Sequence, residues 1–281
     1  MPGSITRRSL FVSLPLGLFG TAAYARYVEP TWLKFSTIEC RLPGLRLGRT
    51  LRLIHLSDLH ASSLVPAEHI EKAIRLSLAA RPDLISITGD FGTVGDSFDP
   101  DWYRAQLRLL SQAAPTYACF GNHDGGQWSA GRYGYITTVP LERLLGSGGV
   151  GVLKNGVARV RAAGSELQLV GVGDLWAGQC DPAMAFREAD AALPTILLSH
   201  NPDSKDSLGG YPWGLMLCGH THGGQVVLPL AGIDVAPVRD KRYVAGLNFW
   251  GRRPIHTSSG VGNAWGVRFN CRPEVTLIEI R

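Results

Sequence analysis

The sequence predicts an α/β fold in which parallel strands dominate the first half and further strands fill the second. Two observations carry that reading. Short apolar runs alternate with helix-spaced apolar patterns from Leu51 to Phe120, and alternation on that scale implies βαβ units with parallel pairing. The three runs also end in polar residues, Ser57-Asp58-Leu59-His60, Gly89-Asp90 and Gly121-Asn122-His123-Asp124, with Asp58, Asp90 and Asn122 at intervals of 32 residues. A βαβ unit takes about 30 residues or more, so the three ends emerge at one edge of one sheet. That edge is where open α/β sheets hold their ligands.

Taken in order, Leu51 to Leu56 reads as a strand and Pro66 to Ala80 as a helix opened by proline. Leu84 to Ile87 is a buried strand, Asp101 to Ala113 a second helix, and Thr116 to Phe120 a third strand. Further strands are expected at Gly151–Leu153, Val157–Val160, Leu167–Val172, Thr195–Leu198, Leu215–Leu217, Gln225–Leu228 and Val275–Ile280, with one helix around Pro182 to Ala192. Two of these later strands end in Ser199-His200-Asn201 and Gly219-His220-Thr221-His222. The segment Gly125 to Gly134, GGQWSAGRYG, reads as a glycine-rich loop beside the third strand end.

The chain of 281 residues is 45% hydrophobic and 18% charged, which excludes a disordered protein and supplies an ample core. A net charge of +5 suits a surface facing phosphate groups or anionic lipid, or simply a soluble surface. Its five cysteines are spread singly, without a CxxC pair, and read as small apolar fillers rather than a disulfide framework. The first 25 residues differ: Thr6-Arg7-Arg8-Ser9-Leu10-Phe11 is a twin-arginine pattern, followed by an apolar run and the small-x-small triplet Ala23-Tyr24-Ala25. The expected division is residues 1–25 as a signal or membrane anchor, 26–48 as an extension, and 49–281 as the catalytic domain.

Together the five polar strand ends offer Asp58, His60, Asp90, Asn122, His200, His220 and His222. Oxygen and imidazole donors without thiolate suit a hard or borderline divalent metal. The pairs Asp58/His60 and His220/His222 are spaced i, i+2, which in extended backbone puts both side chains on one face. Seven ligands exceed one tetrahedral site and suit two ions with a shared carboxylate; Asp90, on a middle strand, fits the shared place.

The order D-x-H, G-D, G-N-H-D, H, G-H-T-H resembles the calcineurin-like metallophosphoesterases from about Leu51 to the C-terminus. The resemblance implies a four-layer α/β/β/α sandwich of two mixed sheets. It implies that Asp58, His60, Asp90 and His222 hold one ion and Asp90, Asn122, His200 and His220 a second, Mn²⁺ by preference, with Fe or Zn as alternatives. It further implies a metal-bridging hydroxide that attacks phosphorus in line, His123 as general acid or leaving-oxygen stabiliser, and Asp124 as the residue that hydrogen-bonds and orients His123. The segments around Asp174, His200 to Ser204 and Asp240 to Leu247 are similar to the YaeI-type bacterial phosphodiesterases.

The expected activity is hydrolysis of a phosphodiester or diphosphate bond, with a lipid-linked nucleotide such as UDP-2,3-diacylglucosamine, a lipid A precursor, as candidate substrate. A cell-envelope phosphomonoesterase on the same centre is the alternative, and a non-catalytic metal-stabilised binding module the third reading. A membrane surface is the expected partner, no nucleic acid is expected, and the protein is expected to be a monomer in the bacterial cell envelope, exported or held at the inner membrane. His55, His69 and His256 match no motif and read as ordinary strand or helix-surface histidines; Asp96, Asp99 and Asp101 read as a solvated turn with a helix cap. Of the tryptophans, Trp128 and Trp265 are glycine-flanked and suit substrate-facing loops, whereas core packing suits most of the others. Arg239, Lys241, Arg242, Arg252 and Arg253 read as a solvated basic face before a diphosphate or membrane rim.

Overall fold

In the computed structural model, which describes residues 19–45, 48–228 and 235–281, the strands form two six-stranded mixed sheets. The first contains β1 (Lys34–Cys40), β2 (Leu51–Leu56), β3 (Leu84–Thr88), β4 (Thr116–Cys119), β5 (Gly151–Val152) and β12 (Glu274–Ile280), in the order β1-β12-β2-β3-β4-β5. The second contains β6 (Gly156–Ala162), β7 (Ser165–Gly171), β8 (Thr195–Leu198), β9 (Leu215–Cys218), β10 (Gly246–Trp250) and β11 (Arg253–Thr257), in the order β10-β11-β9-β8-β7-β6. Strands β2 to β5 are parallel, as are β7, β8, β9 and β11; antiparallel pairings at β12–β2, β6–β7 and β10–β11 make both sheets mixed.

Period-2 alternation places the core. Leu51, Leu53, Leu84 and Cys119 of the first sheet meet Leu169, Ile196, Leu198, Leu215 and Leu217 of the second between the sheets. The intervening Ile54, Leu56, Ile85, Ile87 and Ala118 face outward, beneath α1 (Ala67–Ala79), α2 (Pro100–Ala113) and α4 (Val139–Ser147). Helix α1 buries Ile70, Ala73, Ile74 and Ser77 at helical spacing, and α2 buries Tyr103, Leu107 and Leu110. Asp99 caps α2 by accepting from the amides of Asp101 and Trp102, as the sequence predicts, and the helix stops before Pro115. The outer face of the second sheet is covered more thinly, by the single turn α5 (Pro182–Ala185) and the 3-10 turns Pro202–Asp206 and Lys241–Tyr243, packed around Leu208, Trp213 and Tyr243.

Two expectations change. The helix at Pro182 to Ala192 stops after one turn, because Gln168 on β7 takes both the amide and the carbonyl of Asp190 through its side chain and pulls the following chain onto the sheet edge. The strand at Gln225 to Leu228 is instead a turn with φ of 53° at Gln225 followed by isolated bridging, Val226 to Phe269, with no regular strand among the described residues there. Residues 26–48 supply β1, which pairs along its whole length with β12 and so belongs to the first sheet. The twin-arginine pattern lies outside the described residues, and among those described no helix is long and apolar enough to cross a membrane.

Candidate metal centre

The polar residues leave the sheets at one edge. Asp58 and His60 follow β2, Asp90 follows β3, Asn122 to Asp124 form a 3-10 turn after β4 that is followed by the single turn α3 (Gln127–Ala130), His200 follows β8, and His220 and His222 follow β9. The i, i+2 pairs do not converge through extended backbone. Asp58, His60, Asp90, His220 and His222 have φ of 51°, 46°, 55°, 72° and 49°, five of the eleven non-glycine residues with positive φ among those described. Left-handed backbone is unfavourable for such residues, so its concentration here is imposed by the surrounding packing. The crowding is visible at Gly219, where a Cβ would run into Ser57 Oγ and Asp58 Oδ2, and at Gly121, where it would run into the Asp90 carboxylate.

Donor atoms of Asp58, His60, Asp90 and His222 all lie within 4.8 Å of one another. Within that set His60 Nε2 is 3.1 Å from His222 Nε2 and 3.5 Å from Asp90 Oδ2, and His222 Nε2 is 3.4 Å from Asp58 Oδ1. On the other side of Asp90, its Oδ2 is 3.2 Å from His200 Nε2, whose ring stands 5.1 Å from that of His220. The Oδ1 of Asp90 accepts from the His123 amide at 2.9 Å, leaving Oδ2 between the two histidine sets. His220 and His222, two residues apart in sequence, therefore face different sides of the same carboxylate.

Neighbouring groups fix the ring nitrogens. His60 Nδ1 is hydrogen-bonded with Thr93 Oγ1 (3.1 Å) and His200 Nδ1 donates to the Thr88 carbonyl (2.6 Å), so each turns Nε2 inward. Burial pushes His60 and His220 down to about 3 and His222 well below the imidazole range, so all three are neutral at pH 7. Burial also lowers His200, but Asp90, Asp58 and Asp174 together hold it well above the usual imidazole value. Asp58 is pushed up to about 6, chiefly by burial. Buried Asn122 Oδ1 and His220 Nε2 have no hydrogen-bond partner, a state costing about 1–3 kcal/mol per group. Convergent carboxylates, inward imidazole nitrogens and orphaned acceptors fit a divalent cation.

His123 stands just beyond this cluster, with its ring 4.8 Å from that of His60. Its Nδ1 accepts from the Val94 amide at 3.2 Å, which leaves the proton of the neutral ring on Nε2. The expectation that Asp124 orients His123 is corrected. Asp124 Oδ2 accepts from the amides of Asp90 (2.8 Å) and Gly121 (2.7 Å), and Oδ1 from that of Phe91 (2.8 Å). Both oxygens are consumed in joining the turns after β3 and β4, so Asp124 shapes the backbone that carries Asp90 and Asn122.

Further residues surround the cluster, Trp128 and Trp265 beside the crevice as the sequence suggests and Trp176 without such a mark. Trp176 is edge-on to His220 at 4.3 Å, and Trp128 is 4.7 Å from the His123 ring with the Arg132 guanidinium 4.0 Å above it. Asp174, buried at the foot of the Trp176 loop, accepts from the Ala177 amide at 2.8 Å and leaves Oδ2 unpartnered. Its Gly-Asp dipeptide after β7 repeats the pattern after β3, which is the signal that marks it in hindsight. Trp265 is exposed at the mouth of a crevice of about 430 Å³ that Asp90, Asn122, His123 and His220 also line. His69 is buried rather than at a helix surface, donating to the Val261 carbonyl, and His55 and His256 pair between the sheets at 2.8 Å.

Comparison with known proteins places this geometry. Residues 51–224, spanning all five motifs, match the calcineurin-like phosphoesterase family. The chain is 44% identical to phosphodiesterase YaeI of Escherichia coli K12, with 92% of each chain covered. It is 30% identical to the uncharacterized metallophosphoesterase YkuE of Bacillus subtilis 168, covering 98% of this chain and 96% of that one. It is 27% identical to the UDP-2,3-diacylglucosamine pyrophosphatase LpxG of Chlamydia trachomatis, with 92% of each covered. The two mixed sheets, the strand-end cluster and these matches agree, and the chain belongs to the calcineurin-like phosphoesterases, metal-dependent hydrolases of phosphoric esters.

Proposed function

We propose that this chain hydrolyses a phosphodiester or diphosphate bond at a two-metal centre. Asp58, His60, Asp90 and His222 hold one ion, and Asp90, Asn122, His200 and His220 the other. The observation that carries the reading is Asp90 Oδ2, which stands 3.5 Å from His60 Nε2 and 3.2 Å from His200 Nε2 while Oδ1 is held by the His123 amide. When bound, two divalent ions activate water and neutralise charge on the attacked and leaving oxygens. Mn²⁺ is the preferred metal for the mixed oxygen and imidazole set.

The chain's own groups do the rest. His123, neutral because burial lowers it, carries its proton on Nε2 beside the crevice and can donate a hydrogen bond that stabilises charge on the leaving oxygen. The Arg132 and Trp128 stack stands next to it and offers a cation to the phosphate or its neighbour. A second cavity of about 610 Å³ opens on the far side of His123, between Phe98, Tyr135, Leu141 and Leu144. Its apolar wall, together with exposed Trp265 and Val235 at the crevice, supports a lipid-linked substrate such as the one in the LpxG name. The N-terminal twin-arginine pattern and apolar run support a place at the cell envelope, by export or by an uncleaved anchor.

Protein stripped of metal is expected to lose hydrolysis of bis(p-nitrophenyl) phosphate and to regain it with Mn²⁺. Activity indifferent to chelation would overturn the reading. Faster turnover of p-nitrophenyl phosphate than of the diester would favour the phosphomonoesterase alternative.

A further inference from the structure

We propose that Arg268 and Glu29 form a brace that positions the metal-ligating loops, so that the segment just after the N-terminal apolar run is a working part of the metal centre. The inference rests on the ligand roles proposed for Asp58, His60 and His222. It adds two positioning residues that no motif contains.

Arg268 is fully buried, and a buried cation is costly unless its N–H groups and its charge are met. Its Nη1 donates to the carbonyls of Cys271 (3.1 Å) and His222 (3.4 Å), and its Nη2 to those of Ser259 (2.7 Å), Gly260 (3.3 Å) and Gly262. Apart from Cys271, which is on the turn of Arg268 itself, those acceptors lie on two loops of the centre. One carries His222 itself. The other, residues 258–262 after β11, is bonded to the turn after β2, because Val261 N donates to Ser57 O (2.9 Å) and Gly262 N to Asp58 O (2.7 Å). A single guanidinium thus ties the His222 backbone to the loop that seats Asp58 and His60, using the fixed fork that lysine lacks.

The brace is itself held from the N-terminal side. Ala25 O accepts from the Arg268 amide at 2.9 Å, and the Arg26 side chain donates to Gly266 O at 3.0 Å. Glu29, 1% exposed, accepts from the amides of Asn270 (3.0 Å) and Cys271, which fixes the turn that presents Arg268 and brings a negative charge to a buried cation. Processing after Ala25 would remove one of these contacts and leave Glu29 in place.

The test uses the full chain carrying Glu29→Gln, Glu29→Ala or Arg268→Lys. Mn²⁺ affinity is read by competition with a fluorescent chelator, on protein shown to be folded by circular dichroism. Loss of about tenfold to a hundredfold is the effect expected of a group that orients metal ligands. It is largest for Glu29→Ala and smaller for Glu29→Gln, which keeps an acceptor. Brace variants that stay folded, melt earlier without metal and yet bind Mn²⁺ as the parent does would reduce the brace to a stabilising contact and overturn the proposal. Parent protein that takes up no Mn²⁺ would instead overturn the metal reading, and the brace with it.

Discussion

His123 and Asp124 are neighbours in sequence with separate work to do. His123→Ala is expected to keep its metal and lose about 10² to 10³ in turnover, because only a hydrogen bond to the leaving oxygen is removed; metal content and kcat measured on one preparation check it. Asp124→Asn tests the corrected role. An amide can accept from one side but turns N–H groups towards at least one of the backbone amides of Asp90, Gly121 and Phe91. A buried donor left facing a donor costs about 1–3 kcal/mol, so the thermal midpoint should fall and metal loading weaken together. Lost turnover with unchanged midpoint and metal content would restore the orienting role for Asp124. The sequence showed which residue types gather here, since carboxylates and imidazoles at strand ends are visible in a string. It could not show which of two oxygens accepts from which amide, because that depends on how two turns from different strands approach.

At the scale of elements, strands read well where both faces are buried and poorly at the edges. Leu51–Leu56, Leu84–Thr88 and Thr195–Leu198 are runs of buried residues and stand within a residue or so of their predicted limits. Edge strand β1 has an exposed, mixed pattern; β11, although internal between β10 and β9, begins Arg253-Pro254, so neither carries the usual signal. Helix α4 went unread although Leu141 and Leu145 are spaced for one buried face, because Pro140 and the flanking glycines look like loop. The turns between element and site have no slack. Gly219→Ala is expected to displace the end of β9, because the added methyl meets Ser57 and Asp58, and to reduce metal uptake through His220 and His222. The loss should appear as metal content well below that of the parent in protein that still shows native secondary structure.

The whole molecule brings its ligands from two sheets to one edge, with Asp58, Asp90 and Asn122 from the first and His200, His220 and His222 from the second. That gathering was legible for the first three through their 32-residue interval and for the others through the polar ends of two later strands, while the division between two ions came from the family resemblance. It also sets a pH dependence. Without metal, His200 keeps its proton well above the usual imidazole range because Asp90, Asp58 and Asp174 outweigh its burial. A metal needs the lone pair on that nitrogen, so loading expels the proton. Affinity is expected to fall as pH falls, by up to about tenfold per unit for one proton, and to level off above the His200 value. Calorimetric titration of Mn²⁺ in two buffers of different ionisation heat should show proton release at pH 7; none would contradict the charge assigned to His200.

The left-handed backbone at Asp58, His60, Asp90, His220 and His222 has a consequence for selectivity. Five strained residues persist only because the surrounding packing over-determines them. The donors are therefore set to one spacing before any ion arrives, and a cation of another radius gains little by pulling them inward. Discrimination among divalent metals would then be written into the peptide torsions of five residues on three turns, as much as into the chemistry of the side chains that those turns carry.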